Sequence, residues 1–103
     1  MAEIGAAIGY GMQKFHEALN ALVWLGSIQE RLHRASISLS MLTPDSHLPA
    51  ELRSEFRELR NKAEQAKSLN DEEAASIASR VLEMAHKVNE EYWRWEESII
   101  SKS

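Results

Sequence analysis

Apolar residues recur along this chain at steps of three and four, and the rhythm is broken decisively once, at Thr43-Pro44-Asp45-Ser46-His47-Leu48-Pro49. Before the break the stripe runs Ile4, Ile8, Phe15, Leu19, Leu22, then Leu25, Ile28, Leu32, Ala35, Leu39 and Leu42. That spacing marks one face of a helix. Between Leu22 and Ile28 two steps of three follow one another, with Gly26 inside the slip, and Ser27-Ile28-Gln29-Glu30 has the spacing of a capping box. Residues 4–42 therefore read as one helix, about 58 Å long at 1.5 Å per residue, or as two helices meeting at Gly26. A single bent helix is the expectation, because a corner ordinarily takes more loop than one glycine.

Proline, aspartate and serine at 44–46 suit a tight turn, and Pro49 suits the first turn of a helix, where its missing N–H costs nothing. Leu52, Phe56, Leu59, Ala63 and Ala66 form the next stripe, which ends near Leu69. Asn70-Asp71-Glu72-Glu73 then supplies an N-cap, a glutamate three residues on and acid where the helix dipole favours it. The last stripe is Ala74, Ile77, Val81, Met84, Val88, Tyr92, Trp95 and Ile99. Each stripe must be buried against another helix. The expected fold is all-α: a single domain over residues 1–103, an antiparallel three-helix bundle with one long N-terminal helix, or a four-helix bundle if that helix breaks at Gly26.

The 103 residues are 44% hydrophobic and 27% charged, ordinary for a globular domain and too apolar for wholesale disorder. A net charge of −4 argues against nucleic acid as a partner, since duplex binding needs a basic face. There is no cysteine, so disulfides and thiolate metal sites are excluded. Met1-Ala2-Glu3 lacks the basic leader of a signal peptide. The apolar stretch from Ile4 to Met12 is too short to span a bilayer, so a cytoplasmic protein is the expectation.

Two Glu-x-x-His spacings, Glu30/His33 and Glu83/His86, match the ligand pairs of ferritin-like di-iron bundles. Direction argues against that role. At about 100° per residue Glu30 falls roughly 190° from the centre of its stripe and His33 about 130°, with Glu83 and His86 at similar angles. A phosphotransfer histidine would need a lysine three residues on and a small residue four on. His16, His33 and His86 lack that pattern, so solvated histidines are expected, with no metal and no cofactor.

A layout with one long helix resembles the small helical chorismate mutases, which implies arginines and lysines directed into the bundle around a dicarboxylate. Trp24-Leu25-Gly26 and Tyr92-x-x-x-Glu96 resemble the Trp-x-Gly turn and C-terminal export signal of small secreted helical hairpins of the Esx type. That family carries its Trp-x-Gly near mid-chain, whereas the turn expected here is at 43–49.

Surface features remain. Trp24 lies nearly opposite the Phe15–Leu19–Leu22 stripe of a continuous helix, and Trp93 projects away from its own. Exposed aromatics are enriched where proteins meet, although either ring could lie flat along the bundle edge and Trp24 could turn inward at a bend. Gly5-x-x-x-Gly9 would let two helix backbones approach closely. With Gly11 it makes the first segment a poor helix in isolation, so a neighbour must hold it. Arg53, Arg57, Arg60 and Lys67 flank one side of the stripe that follows Pro49, and Glu51, Glu55 and Glu58 the other. Such flanks set register in bundles and coiled coils. Glu72, Glu83, Glu90 and Glu97 form an outer row on the last helix that a basic patch could read. A long first helix outrunning its neighbours leaves apolar surface for a second copy. The function expected is thus a non-enzymatic protein–protein interaction module, a small adaptor, regulator or secretion-type chaperone that homodimerises. Gly5, Gly9, Trp24 and Trp93 are its partner-binding residues, and a small mutase-type enzyme is the alternative.

Overall fold

A computed structural model describes the backbone of residues 2–102 and the side chains of residues 7–99. The described residues form helices α1 (Ala2–Leu22), α2 (Ile28–Leu39), α3 (Pro44–His47), α4 (Arg53–Glu64) and α5 (Asp71–Lys102). Single 3-10 turns lie at Ala50–Leu52 and Ala66–Ser68, and no strand occurs among the described residues. The all-α class is as the periodicity predicts. The single bent helix over residues 4–42 is not.

Five residues, 23–27, make the corner between α1 and α2. Its chemistry explains why one glycine suffices. Gly26 takes φ +114°, which a residue with a side chain rarely adopts. Ser27 then caps α2: its Oγ accepts from the Glu30 N–H at 3.1 Å, and Glu30 Oε1 accepts from the Ser27 N–H at 3.5 Å. The carbonyl of Leu22, left over at the end of α1, accepts from Arg31 Nη1 at 2.9 Å. Leu25 therefore leaves the core stripe in which its spacing had placed it and stands 76% exposed. Ser27→Ala should cost about 1 kcal/mol in a denaturant titration by removing this cap, and a Gly substitution should cost less.

Phe15 of α1, Leu32, Ala35 and Leu39 of α2, and Phe56, Leu59 and Ala63 of α4 are buried. On α5, Ala74, Ile77, Val81, Met84, Ala85 and Val88 complete the core. The second capping box forms as predicted, with Asn70 Oδ1 accepting from the Glu73 N–H at 2.8 Å and Glu73 Oε1 from the Asn70 N–H at 3.0 Å. The divided flanks of α4 set its position on both sides. Arg53 Nε donates to the carbonyls of Pro44 and Leu48, and Arg60 Nη1 to that of Leu42. On the other flank Glu55 and Glu58 pair with Arg80 of α5 at 3.8 and 3.4 Å. Hydrogen bonds from Lys62 and Arg80 hold the Glu58 carboxyl below its usual range.

The glycine-rich start of α1 is held by its own chain. The Tyr92 ring of α5 lies over Gly9, and the ring of Tyr10 sits 4.7 Å from that of His47 in α3. Gly11 is buried against the backbone of His47. Gly5 lies outside the residues whose surroundings are described. The element that outruns its neighbours is α5, with 32 residues, rather than a long first helix. Beyond Val88 no described residue of α5 is fully buried.

Candidate functional site

The corner between α1 and α2 presents Val23, Trp24 and Leu25 to solvent at 80%, 68% and 76% exposure. Trp24 is thus neither folded inward nor laid flat. Three consecutive large apolar side chains on a turn are held out by the backbone beneath them. The Val23 N–H still reaches the Leu19 carbonyl at 3.3 Å and the Trp24 N–H that of Ala21 at 3.2 Å. Ser27 and Glu30 lock the far side, and Gln29 Nε2 ties α2 to the start of α5 through the Leu69 carbonyl (3.2 Å) and Asp71 Oδ1 (2.7 Å). A turn held at both ends loses little conformational freedom on docking, which favours affinity.

The second exposed set lies on α5, where Leu82 is 55% exposed, Trp93 54% and Ile99 44%. Leu82 borders a groove of about 250 Å³ between α1 and α5, floored by Phe15 and Ala85. Met12, His16 and Leu19 line one wall, and Leu82, His86 and Asn89 the other. Sequence reasoning treats His16 and His86 as isolated solvated residues. The signal that pairs them is the matching run of steps, four then three, in 12/16/19 and 82/86/89. Trp93 continues the second run. Its edge meets the ring of Tyr92, whose hydroxyl donates to Glu96 Oε1 at 2.8 Å. That hydrogen bond raises the Tyr92 phenol above its ordinary range. Trp93 and Gly9 therefore both touch or flank Tyr92, whereas Trp24 belongs to the separate surface at the α1–α2 corner. Gly9 is occupied by its own chain instead of lying open to a partner.

The arginines of α4 do not assemble an inward cluster, whereas on α2 Arg31 Nε and Arg34 Nη1 are enclosed without a hydrogen-bond partner. Arg57 and Arg60 share an open depression with Ser40, Asn61 and Glu64. Both guanidiniums there are engaged: Arg57 with Asp45 at 2.8 Å, and Arg60 with the Leu42 carbonyl and the face of Phe56. Of the Glu-x-x-His pairs, Glu30 caps α2 and His86 pairs with Glu90 at 3.4 Å. His33 is half-buried with its Nδ1 enclosed and without a hydrogen-bond partner, not solvated. No group of three metal-ligating side chains occurs among the described residues, and no described helix is long and apolar enough to cross a membrane. Trp24-Leu25-Gly26 does form a turn between two helices, as in Esx-type hairpins, but within the first 39 residues instead of at mid-chain. No protein-family model matches this chain, and no curated protein or solved structure matches it either.

Proposed function

We propose that this chain is a non-enzymatic protein–protein interaction module, of the adaptor, regulator or secretion-chaperone kind, that docks through Val23, Trp24 and Leu25. The observation that carries this reading is the exposure of all three side chains on a corner whose backbone is hydrogen-bonded on both sides. At 68–80% exposure they present roughly 400 Å² of apolar surface, in the range of functional patches on monomers. That is about half of what one partner contributes to a stable interface, near 800 Å². The corner therefore acts as an aromatic anchor that fills a pocket on a larger protein, and a corner-to-corner dimer would be too small. Commitment of the α4 arginines Arg53, Arg57 and Arg60 to carbonyls and to Asp45 supports this reading over a mutase-type enzyme. We also propose the finer arrangement of α1, α2, α4 and α5 as an antiparallel four-helix bundle, supported by Gly9 lying under Tyr92 while Leu19 and Leu82 share one groove.

The test is photo-crosslinking from position 24 in cells, with exposed Glu64 as the control position. A discrete adduct from position 24, competed by the native chain and not by Trp24→Ala, is the expected result. An anchor of this kind loses about 2 kcal/mol or more of binding on truncation, close to thirtyfold. Stability should change by no more than about 0.5 kcal/mol, because the ring is exposed. Identical adduct patterns from positions 24 and 64 would sink the reading.

Homodimerisation is the second reading, and it moves from α1 to α5. Trp93 and Ile99 stand exposed on the length of α5 that follows its last buried residue, Val88. Light scattering behind size exclusion tests it: a dimer that Trp93→Ala converts to monomer supports it, and a monomer at all concentrations ends it.

A further inference from the structure

The groove between α1 and α5 has a chemical sidedness that the corner lacks. At about 100° per residue, Leu82, His86, Asn89 and Trp93 fall within roughly 60° of one another on α5. Glu83, Glu90 and Glu97 form a row roughly 80° further round, on the side away from α1. The two rows meet, for Leu82 and His86 share a second depression with Glu83, Glu90 and Lys87. Glu83 and Glu97 have no ion-pair partner among the described residues, and Glu90 has only His86. The cations beyond the row are already committed, Lys87 to Glu55 at 3.8 Å and Arg94 to Glu91. Across the groove, the exposed neighbours on α1 are the uncharged Gln13 and Asn20.

We propose that this face is a docking site for a cationic amphipathic helix from another protein, its apolar side in the α1–α5 groove and its Lys/Arg side along Glu83, Glu90 and Glu97. Two helices bordering a groove with side chains at steps of four and three match the i, i+3/i+4, i+7 anchors of a third helix. From Leu82 to Asn89 the α5 wall is about 10 Å long, two helical turns, the length of an i to i+7 anchor set. The groove volume of about 250 Å³ accepts apolar anchors, since roughly 150 Å³ suffices for a benzene ring. Charge selects the occupant. At the groove a second copy would bring an identical Glu83 and Glu90 to a chain of net charge −4, and like charges across an interface oppose pairing, which leaves only the end of α5, at Trp93 and Ile99, to self-association. A lysine- or arginine-flanked helix meets carboxylates whose neighbouring cations, Lys87 and Arg94, are paired with Glu55 and Glu91. The site is distinct from the Trp24 corner and stands or falls separately.

The probe is a fluorescein-labelled 14-residue Leu/Lys peptide with leucines at i, i+3/i+4 and i+7, beside a twin in which every lysine is glutamate. Anisotropy titrations of the full chain at low and high salt should show binding of the lysine peptide, weakened by salt, and none of the twin. Glu83→Gln, Glu90→Gln and Glu97→Gln combined should weaken binding about tenfold and flatten its salt dependence. Leu82→Ser should abolish it, while Trp24→Ala leaves it unchanged. All four positions replaced on α5 are exposed, so the variants keep the fold, which circular dichroism verifies. Amide shifts confined to residues near Met12, Leu19 and Leu82 would place the peptide. Equal binding of both peptides, or binding indifferent to Leu82→Ser, overturns the proposal. So does a dimer in light scattering that Leu82→Ser dissolves, which would make a second copy the occupant.

Discussion

Phe56→Ala should be the most damaging single truncation in this protein, lowering stability by about 4 kcal/mol. The ring is fully buried, meets Phe15 edge-on at a centroid distance of 5.8 Å, and carries the Arg60 guanidinium 5.1 Å above its centre. Truncation removes the transfer free energy of the ring and leaves a void between α1, α2 and α4 that helices tied at both ends close only in part. It also removes the surface on which Arg60 lies while reaching the Leu42 carbonyl, so the link to the segment before α3 loosens as well. Against a total of about 5–15 kcal/mol for a small domain, such a loss is a large fraction, and the melting temperature should fall by some 20 °C. Phe56→Leu, which keeps most of the volume, should cost less than about 1.5 kcal/mol. A double-mutant cycle with Phe15→Ala should show a coupling near 1 kcal/mol, the share of the ring pair beyond burial. A Phe56→Ala variant within 1 kcal/mol of the native chain would mean that α1 and α4 do not share this core.

Phe15 and Phe56 are both legible from spacing, as are all five members of the stripe from Leu52 to Ala66 and the first five members of the α5 stripe, because burial there follows the helical period. Both capping boxes were legible too, since a Ser or Asn with Glu three residues on has few other uses before an apolar run. What misled was the corner at 23–27. Hydrophobic periodicity treats Val, Trp and Leu as core, and three such residues in a row mask the Gly26-Ser27 pair that ordinarily announces a loop. The Ser27 signal was present and pointed to the break; apolarity outweighed it. That same anomaly, apolar residues where a loop belongs, is what makes the corner the leading candidate for docking. The groove was not legible for a different reason. Its two walls come from residues seventy positions apart, and each wall is an ordinary helix flank until the fold places the other beside it. Only the acidic row, which lies within one helix, could be read along the chain.

Gly11 is the position where propensity and packing give opposite answers, and it provides the second large effect. Helix propensity alone predicts that alanine at Gly9 or Gly11 stabilises α1 by about 1 kcal/mol. At Gly9 a Cβ would meet Tyr92 Cε2 at 3.3 Å, and that half-buried ring can yield by a few tenths of an ångström. Gly9→Ala should therefore leave stability within about 0.5 kcal/mol of the native chain. At Gly11 the obstacle is backbone: a Cβ would stand 2.5 Å from the carbonyl oxygen of His47. That carbonyl cannot move freely. Arg53 holds the Pro44 and Leu48 carbonyls on either side of it, the His47 Nδ1 accepts from the Thr43 N–H at 3.0 Å, and Tyr10 packs on the imidazole. Overpacking between two fixed backbones costs about 3 kcal/mol, so after the gain in propensity Gly11→Ala should be destabilised by about 2 kcal/mol, and Gly11→Val by more. Equilibrium urea unfolding of the two alanine variants side by side reads the difference directly. If Gly11→Ala instead stabilises the protein by the amount that propensity alone gives, α3 does not rest on α1, and the seat of the short helix between α2 and α4 must be drawn elsewhere.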